Sequence, residues 1–401
     1  MRTLSIAIVI LVSASPARAA DWTQFRGPSG MAVSNEKNLP VKWSDTEGLR
    51  WKAELPGRGL SNPVIVGGKV FVTASSGYQN ARLHVLAFDA ATGKKLWERQ
   101  FAPTGDTSCH PKTCMAANTP TADGKHVFAL FGTGDLAALD HAGNLLWYRS
   151  LVSDYPTITN QVGMAASPVL FKDTLLVPME NAGDSFAAAL DTATGRNRWK
   201  IERRHDINWV TPLVLMEGKR AAVLCQSTKE LTSYDVETGK VNWSFANAGE
   251  SMSDISSPLS GGGMLFVPGK EFLALKPSPD GATPAVVWRA KLPLGYTSPI
   301  YHAGRLYGLG QTGVTCLNAE TGEQMWRQRA DGPFSASPVI ADGKMYVVSE
   351  DGKTTVIKLG DKPEVLAVNT VGETVLATPA IAGGAIFLRS DKHLYCIGEK
   401  K

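Results

Sequence analysis

Short β-prone runs separated by glycine and polar residues recur along the sequence. Residues 297–329 show the pattern most clearly, with runs at Ser298–Tyr301, Arg305–Leu309, Gly313–Asn318 and Gln324–Gln328. Runs of this length, punctuated by turn residues, predict a four-stranded antiparallel meander. One such sheet cannot bury both of its faces, so we expect further copies packed beside it.

The same unit recurs eight times, each copy opened by Ser, Thr or Asn followed by proline. These prolines are Pro63, Pro120, Pro168, Pro212, Pro258, Pro299, Pro338 and Pro379. They lie 39 to 57 residues apart, and a tryptophan marks the fourth run of six copies. Those tryptophans are Trp97, Trp147, Trp199, Trp243, Trp288 and Trp326. The sequence therefore predicts an all-β fold, an eight-bladed β-propeller of four-stranded antiparallel blades.

The last copy has only three runs, ending with His393–Ile397. A spare run, Arg50–Leu55, contains Trp51 and precedes the first proline step. We expect this run to pair antiparallel with His393–Ile397 and to complete blade eight, because that pairing leaves no open edge at the seam.

With these motifs the chain resembles the pyrroloquinoline-quinone (PQQ)-like β-propeller repeat proteins over residues 48–398. The residues that carry the resemblance are Asn62–Val72 with Leu86–Trp97, and Ser337–Val347. This superfamily holds quinoprotein alcohol dehydrogenases and also cofactor-free relatives such as the outer-membrane assembly factor of the BamB type. The resemblance implies the fold, and it leaves the function open because most such repeats are scaffold.

For a dehydrogenase, the resemblance implies a flat PQQ at the channel mouth, bound calcium and an aspartate base. It also implies a disulfide between adjacent cysteines over one face of the quinone and a tryptophan under the other. This sequence has no adjacent cysteine pair. It also lacks the long insertions of the alcohol dehydrogenases.

The first nineteen residues read as a secretory signal peptide, with Arg2, the apolar run Leu4–Val12 and the cleavage residues Ala17–Ala19. Residues 20–47 are predicted to form an N-terminal arm packed on the propeller, and residues 48–401 the propeller itself. The apolar run is too short for a transmembrane anchor, and no lipid-anchor cysteine follows it. We therefore expect a periplasmic or secreted monomer.

Charges of both signs are interspersed along every repeat, and the formal net charge is only +4. Nucleic-acid binding would need clustered Lys and Arg, so no nucleic-acid partner is expected.

The loops that join strands two and three lie on the same rim of a propeller as the loops that join successive blades. These loops differ most among the copies, so we expect binding on this variable rim. The longest is Phe101–Ala117, which we expect to fold over the channel mouth. Within it, Cys109 and Cys114 are candidates for a disulfide, with His110 as a surface residue. Three potential ligands are too few for a zinc site, so no metal is predicted.

The other candidates on this rim are Glu180, Asn181, Asn208, Trp209, Gln311, Asp351 and Asp391. Glu180 and Asn181 have oxygens that suit calcium. Asp351 or Asp391 would serve as a base, and Trp209 beside Asn208 is expected to face the channel. Each also has a purely structural explanation. Carboxylates on loops are usually solvated, and the Trp209 side chain would fill the central channel.

The sequence-based interpretation is an exported, non-catalytic scaffold, BamB-like in architecture. It would bind a protein or peptide partner on the variable rim and need no cofactor. The first alternative is a PQQ- and calcium-dependent dehydrogenase, and the second is a carbohydrate-binding or carbohydrate-cleaving propeller. A converging Glu, Asn and Asp set with Arg or Lys at the axis would favour the dehydrogenase.

Overall fold

The computed structural model describes residues 21–159, 163–247 and 250–399. It is an eight-bladed β-propeller of antiparallel blades, as the repeats predict. The predicted signal peptide lies outside the described residues. Within the described ranges, no helix is long and apolar enough to cross a membrane.

Blades one to four are each a continuous meander, with strands numbered outward from the axis. Blade one contains Val64–Val66, Lys69–Ser76, Arg82–Asp89 and Lys95–Phe101. Blade two contains Thr121–Ala122, His126–Leu130, Asp135–Asp140 and Leu145–Ser150. Blade three contains Val169–Phe171, Thr174–Met179, Phe186–Asp191 and Asn197–Glu202. Blade four contains Leu213–Glu217, Arg220–Gln226, Glu230–Asp235 and Val241–Ala246.

Blades five to seven repeat this order, and blade eight takes its outermost strand from the N-terminal part of the chain. Blade five contains Leu259–Gly261, Met264–Val267, Phe272–Lys276 and Ala285–Ala290. Blade six contains Ile300–His302, Arg305–Gly310, Gly313–Asn318 and Gln324–Arg329. Blade seven contains Val339–Ala341, Lys344–Val348, Lys353–Lys358 and Glu364–Thr370. Blade eight contains Ala380–Ala382, Ala385–Arg389, His393–Ile397 and Leu49–Glu54. A short α-helix, Leu151–Asp154, and a 3-10 turn, Tyr78–Asn80, lie in loops.

The seam of the ring is closed as predicted. Leu49–Glu54 pairs antiparallel with His393–Ile397, with Trp51 opposite Cys396. The pairing joins two segments far apart in the sequence and gives blade eight its four antiparallel strands.

The core lies between the blades. In blade one, Val70–Ala74 of the second strand is fully buried, whereas the outermost strand, Lys95–Phe101, is only partly buried. This division follows the sequence, because the inner strands are nearly all apolar and the outer strands carry Lys, Glu and Arg. Apolar burial contributes roughly 25 cal/mol per Å², so the faces between blades supply most of the stability.

Each tryptophan of an outermost strand packs against the next blade. The indole Nε1 of Trp97 donates to the carbonyl of His141 in blade two at 3.0 Å. Gly143 of the same turn, at φ 83°, lies on the Trp97 ring, where an added Cβ would come within 2.7 Å. Blade five lacks this turn, and Trp243 of blade four instead donates to Glu217 of its own blade at 3.0 Å.

The segment from Asp21 to Ser34 runs across the innermost strands. Its contacts are Trp22 with Ile65, Thr23 with Ala122, Gln24 with Leu170, Arg26 with Pro299, and Val33 with Ile340. The last contact makes Val33–Ser34 a fifth, parallel strand of blade seven, which the repeats did not predict. Trp22 is fully buried, and Phe25 lines the central cavity.

Candidate functional site

Eight buried side chains form a closed hydrogen-bonded ring around the propeller axis. Each is the residue before the proline that opens a blade, and its side-chain oxygen accepts from the backbone N–H of its counterpart in the preceding blade. The eight are Asn62, Thr119, Ser167, Thr211, Ser257, Ser298, Ser337 and Thr378. The donor–acceptor distances are 2.9 to 3.2 Å. We call this set the hydroxyl ring.

A second ring stands above the hydroxyl ring, formed by the residue two positions earlier in each copy. Because side chains alternate along extended backbone, these residues face the axis as well. They are Leu60, Ala117, Ala165, Trp209, Ile255, Tyr296, Ser335 and Leu376. Together with Phe25 and Lys112, the two rings line a cavity of about 330 Å³, which we call the channel cavity.

The insertion Phe101–Ala117 reaches across the mouth of the channel cavity. Lys112 of this insertion donates to Glu350 of blade seven at 3.0 Å, and its Nζ lies 5.5 Å from the ring centre of Tyr296. Arg58 Nη1 donates to the carbonyl of Pro111 at 2.6 Å, which ties the insertion to the segment before blade one. Residues of the insertion thus contact the segments before blades one and six, and blade seven itself.

The base of the insertion is anchored on a buried carboxylate. Asp135 accepts hydrogen bonds from the Thr104 N–H at 3.0 Å and from the hydroxyls of Thr133 and Tyr148 at 2.5 Å each. Burial raises the pKa of Tyr148, and the hydrogen bond to Asp135 raises it further, so this hydroxyl stays a donor.

The wall of the channel cavity carries basic side chains and no acidic ones among the residues that the structure describes. Lys112 and His110 line it, and His110 Nδ1 lies 3.1 Å from the backbone N–H of Lys112. Just outside, Glu350 accepts from Ser335 at 2.8 Å as well as from Lys112. A carboxylate therefore contacts two cavity-lining residues without itself lining the cavity.

Glu180 and Asn208 meet in a buried network beside Trp209. Arg203 Nε donates to Glu180 Oε1 at 3.0 Å, and Asn208 Nδ2 donates to Glu180 Oε2 at 3.0 Å. Trp209 Nε1 donates to the carbonyl of Gly163 at 2.7 Å, which fixes its ring at the cavity wall. The expectation that Trp209 faces the channel agrees with its position.

Of the eight predicted rim residues, only His110 and Trp209 line the channel cavity. Glu180 and Asn208 lie in the buried network beside Trp209, and the other four lie elsewhere. Asn181 is buried and holds its own loop, accepting from the Gly183 N–H at 2.8 Å. Asp391 pairs with Arg58 at 3.3 Å and so supports the insertion from outside. Gln311 and Asp351 are exposed on the rim and do not line the cavity. The residue next to Asp351, Glu350, is the acid nearer to the cavity.

The cysteines are free thiols in the structure. Cys114 is buried, whereas Cys109 is partly exposed, with its Sγ 3.8 Å from the carbonyl oxygen of Thr113. The Cys109–Cys114 bridge therefore remains a prediction for the oxidised protein.

Sequence reasoning expected Phe25 to pack on the propeller but missed that Phe25, Lys112 and Tyr296 line the channel cavity. It also missed the chemical role of the hydroxyl ring. The Ser/Thr-Pro repeat was visible, and counting two residues back from each ring residue would have given the second ring. Lys112 carried no such signal, because its position depends on how the insertion folds.

The chain belongs to the family described as "Outer membrane protein assembly factor BamB", which matches residues 28–181, 158–278 and 279–363. This match places it among the PQQ-like β-propeller proteins.

Curated relatives carry dehydrogenase names. A polyvinylalcohol dehydrogenase of Sphingopyxis sp. (strain 113P3) is 22% identical over 85% of this chain and 68% of the relative. A quinohemoprotein alcohol dehydrogenase of Comamonas testosteroni is 26% identical over 47% of this chain and 26% of the relative. The expectation of a non-catalytic scaffold is therefore wrong, because these relatives support the alternative of a dehydrogenase.

Solved structures match the fold. BamB from Moraxella catarrhalis gives a TM-score of 0.66 at 15% identity, covering 87% of this chain and 97% of that one. A europium-containing methanol dehydrogenase gives 0.71 at 12% identity, covering 95% of this chain and 98% of that one.

Proposed function

We propose that this protein is a quinoprotein-type oxidoreductase that binds PQQ in the channel cavity and oxidises an alcohol. The observation that carries the proposal is the channel cavity itself, about 330 Å³ in volume, with aromatic side chains, a hydroxyl ring and basic groups but no acidic group in its described wall. The dehydrogenase names of the relatives support the same class of reaction.

The side chains of the channel cavity fit a planar, anionic quinone. Trp209 and Tyr296 offer ring faces, and the apolar Leu60, Ile255 and Leu376 exclude water. Lys112 and His110 would hold the carboxylates of PQQ, since charge-assisted hydrogen bonds are strongest where water is excluded.

The same side chains do not fit calcium. Calcium prefers several carboxylate and carbonyl oxygens at close range. Glu180 has both oxygens engaged by Arg203 and Asn208, and Glu350 is engaged by Lys112 and Ser335. The part of the chain that the structure describes contains no group of three or more His, Cys, Asp or Glu that would hold a metal. We therefore assign no role to a metal.

Oxidation of an alcohol requires an acceptor for the C–H hydrogen with its electron pair and a base for the hydroxyl proton. Bound PQQ would supply the acceptor. Glu350 is the candidate base, because Ser335 and Lys112 place its carboxylate at the edge of the cavity. The positive charge of Lys112 stabilises the carboxylate and any alkoxide that forms beside it. The insertion limits access of water to the mouth.

Export of the protein belongs to the same proposal. The Arg2, apolar-run and Ala-Arg-Ala pattern of the first nineteen residues supports it.

The binding test is titration of the purified protein with PQQ, followed by tryptophan fluorescence and thermal melting. A ligand that binds only the folded state raises the melting temperature with concentration. Lys112→Ala should weaken binding by about tenfold, because it removes one charge-assisted hydrogen bond. Lys270→Ala is the matched control, since Lys270 lies on the same rim but pairs with Glu250 outside the cavity. An equal loss of PQQ affinity in both variants, or no saturable binding of PQQ, would overturn the assignment of the channel cavity as the PQQ site.

The turnover test uses protein loaded with PQQ, a short alcohol and an electron-accepting dye. Glu350→Gln should lower the rate by at least about a hundredfold while PQQ binding is retained, because the amide cannot accept the proton. Unchanged turnover would remove Glu350 as the base.

A further inference from the structure

Glu180 is a buried carboxylate that needs a compensating positive charge. It follows the strand Thr174–Met179 and is only 6% exposed. An ionised carboxylate at such a position is strongly destabilising unless it is paired. The partner is Arg203, 4% exposed, whose Nε lies 3.0 Å from Glu180 Oε1.

Oxygen atoms surround the guanidinium of Arg203. Besides Glu180, its Nη1 donates to the hydroxyl of Tyr234 at 2.9 Å and lies 3.7 Å from a carboxylate oxygen of Glu230. Its Nη2 donates to the carbonyl of Cys225 at 3.4 Å. Carboxylate, carbonyl and hydroxyl oxygens of this kind are also what calcium selects. The oxygens around Arg203 are thus of the kind that surround a calcium ion. The difference is that the cation here is a guanidinium covalently attached to the chain.

The charge on Arg203 is permanent. Burial alone would lower its pKa, but the charge of Glu180 and its hydrogen bond, together with the electrostatic influence of Cys225 and Tyr234, outweigh burial and raise the pKa above its ordinary value. A dissolved metal ion would have to displace a guanidinium that cannot lose its proton or leave the site.

The neighbouring oxygens are engaged as well. The backbone carbonyl of Gln226 accepts a hydrogen bond from Asn208 Nδ2 at 2.6 Å. Asn208 Oδ1 accepts one from the Val210 N–H at 3.2 Å. Asn208 is followed by Trp209, whose ring lines the channel cavity. The ion pair therefore also determines where one wall of the cavity stands.

We propose that Arg203 occupies the cation position beside Glu180 in place of a divalent metal, so that ligand binding in the channel cavity requires no calcium. The first part concerns only Glu180 and Arg203, and the second part rests on the function proposed above. Arg203 is a positioning residue here, since it acts on the cavity through Glu180, Asn208 and Trp209.

The test of the first part uses the protein without quinone. Wild-type protein should show no heat of binding and no change in melting temperature with millimolar calcium. Arg203→Ala should melt on the order of 5–10 °C lower, because Glu180 is left buried and unpaired. Calcium should then restore part of that loss, since space and oxygen ligands have become free. The double variant Arg203→Ala with Glu180→Gln should not respond to calcium.

Two further variants keep the test decisive. Arg204→Ala removes a neighbouring exposed arginine that pairs with Asp206, and it should create no calcium response. Arg203→Lys retains a positive charge and should fold without responding to calcium even if Arg203→Ala does not fold. Calcium binding by wild-type protein at Glu180, or an Arg203→Ala protein that folds and ignores calcium, would overturn the proposal.

The second part is tested by titrating PQQ into wild-type protein with calcium and with a calcium chelator. Equal affinities would support calcium-free binding. A loss of PQQ affinity in the chelator would overturn it, whereas absence of PQQ binding under both conditions would refute the proposed function and leave the Arg203 result standing.

Discussion

The backbone N–H of Thr378 donates to Oδ1 of Asn62 at 3.2 Å, and this bond joins the last blade to the first. The other seven bonds of the hydroxyl ring use a Ser or Thr hydroxyl as acceptor. At the seam an asparagine takes that role, and its own N–H donates to Thr119 at 3.0 Å. The ring is therefore continuous around the axis.

Removing the acceptor at the seam should destabilise the protein. Asn62→Ala leaves the buried N–H of Thr378 without a partner, which we expect to cost about 1–3 kcal/mol in unfolding free energy. Asn62→Thr supplies the hydroxyl that Thr211 offers in blade four, and it should recover most of the loss. Urea unfolding measures both, and an Asn62→Ala protein as stable as wild type would contradict the role of the ring.

Trp243 tests packing between blades. It is 7% exposed, so Trp243→Ala should cost about 3–5 kcal/mol in unfolding free energy. Trp243→Phe keeps most of the ring volume but loses the bond to Glu217, so its cost should be clearly smaller. If both variants lose the same stability by urea unfolding, the hydrogen bond rather than packing is the larger contribution.

The anchor of the insertion can be separated from the propeller core. Asp135→Ala leaves the donors on Thr104, Thr133 and Tyr148 unpaired, so the insertion should be cut faster by protease within Phe101–Ala117. Of these donors Thr133 is buried, and an unpaired buried donor costs roughly 1–3 kcal/mol, so the melting temperature should also fall. Asp140→Ala, at an exposed turn of the same blade, is the control and should leave proteolysis unchanged. Equal cleavage of the Asp135→Ala and wild-type proteins would remove Asp135 as the anchor.

The seam should weaken in acid. Burial alone would raise the pKa of Glu373, but hydrogen bonds from Ser390, His393 and Lys52 and the charge of His393 lower it to about 2, from an ordinary value of 4.5. A carboxyl group whose pKa is lowered on folding stabilises the folded protein at pH values above its ordinary pKa. This contribution is lost as the pH falls from 4.5 towards 2. The stability difference between wild type and Glu373→Gln should therefore shrink as pH falls through this range. A pH-independent difference in urea unfolding would contradict the role of this charge.

The repeats predicted the fold because each copy carries the same local signals. The proline step, the glycine turn and the outer tryptophan report on neighbouring residues, so one copy can be recognised from its own sequence. Closure of the seam was predictable as well, since Arg50–Leu55 was a spare strand and blade eight lacked one. The consequence of the missing turn in blade five was seen only in the structure, where Trp243 donates a hydrogen bond to Glu217 of its own blade.

The candidate site was predictable only in part. Glu180 was found because it lies in a variable rim loop, and Asn208 and Trp209 because they lie just before a repeated proline step. The pairing of Glu180 with Arg203 and Asn208 depends on side-chain geometry that sequence does not report. Lys112 and Glu350 lie 238 positions apart and meet only when the insertion folds over the mouth. The carboxylate at the cavity edge is Glu350 rather than Asp351, a distinction that strand alternation alone did not make.

The pairing of Leu49–Glu54 with His393–Ile397 has a consequence for biosynthesis. A ribosome makes the first of these strands before any complete blade and the second after the other seven. The outer strand Leu49–Glu54 therefore has no partner until the other seven blades and the inner strands of blade eight have been made, and the ring is sealed late. Until then an unpaired strand edge is open to other chains, which makes the nascent protein a natural client for chaperones.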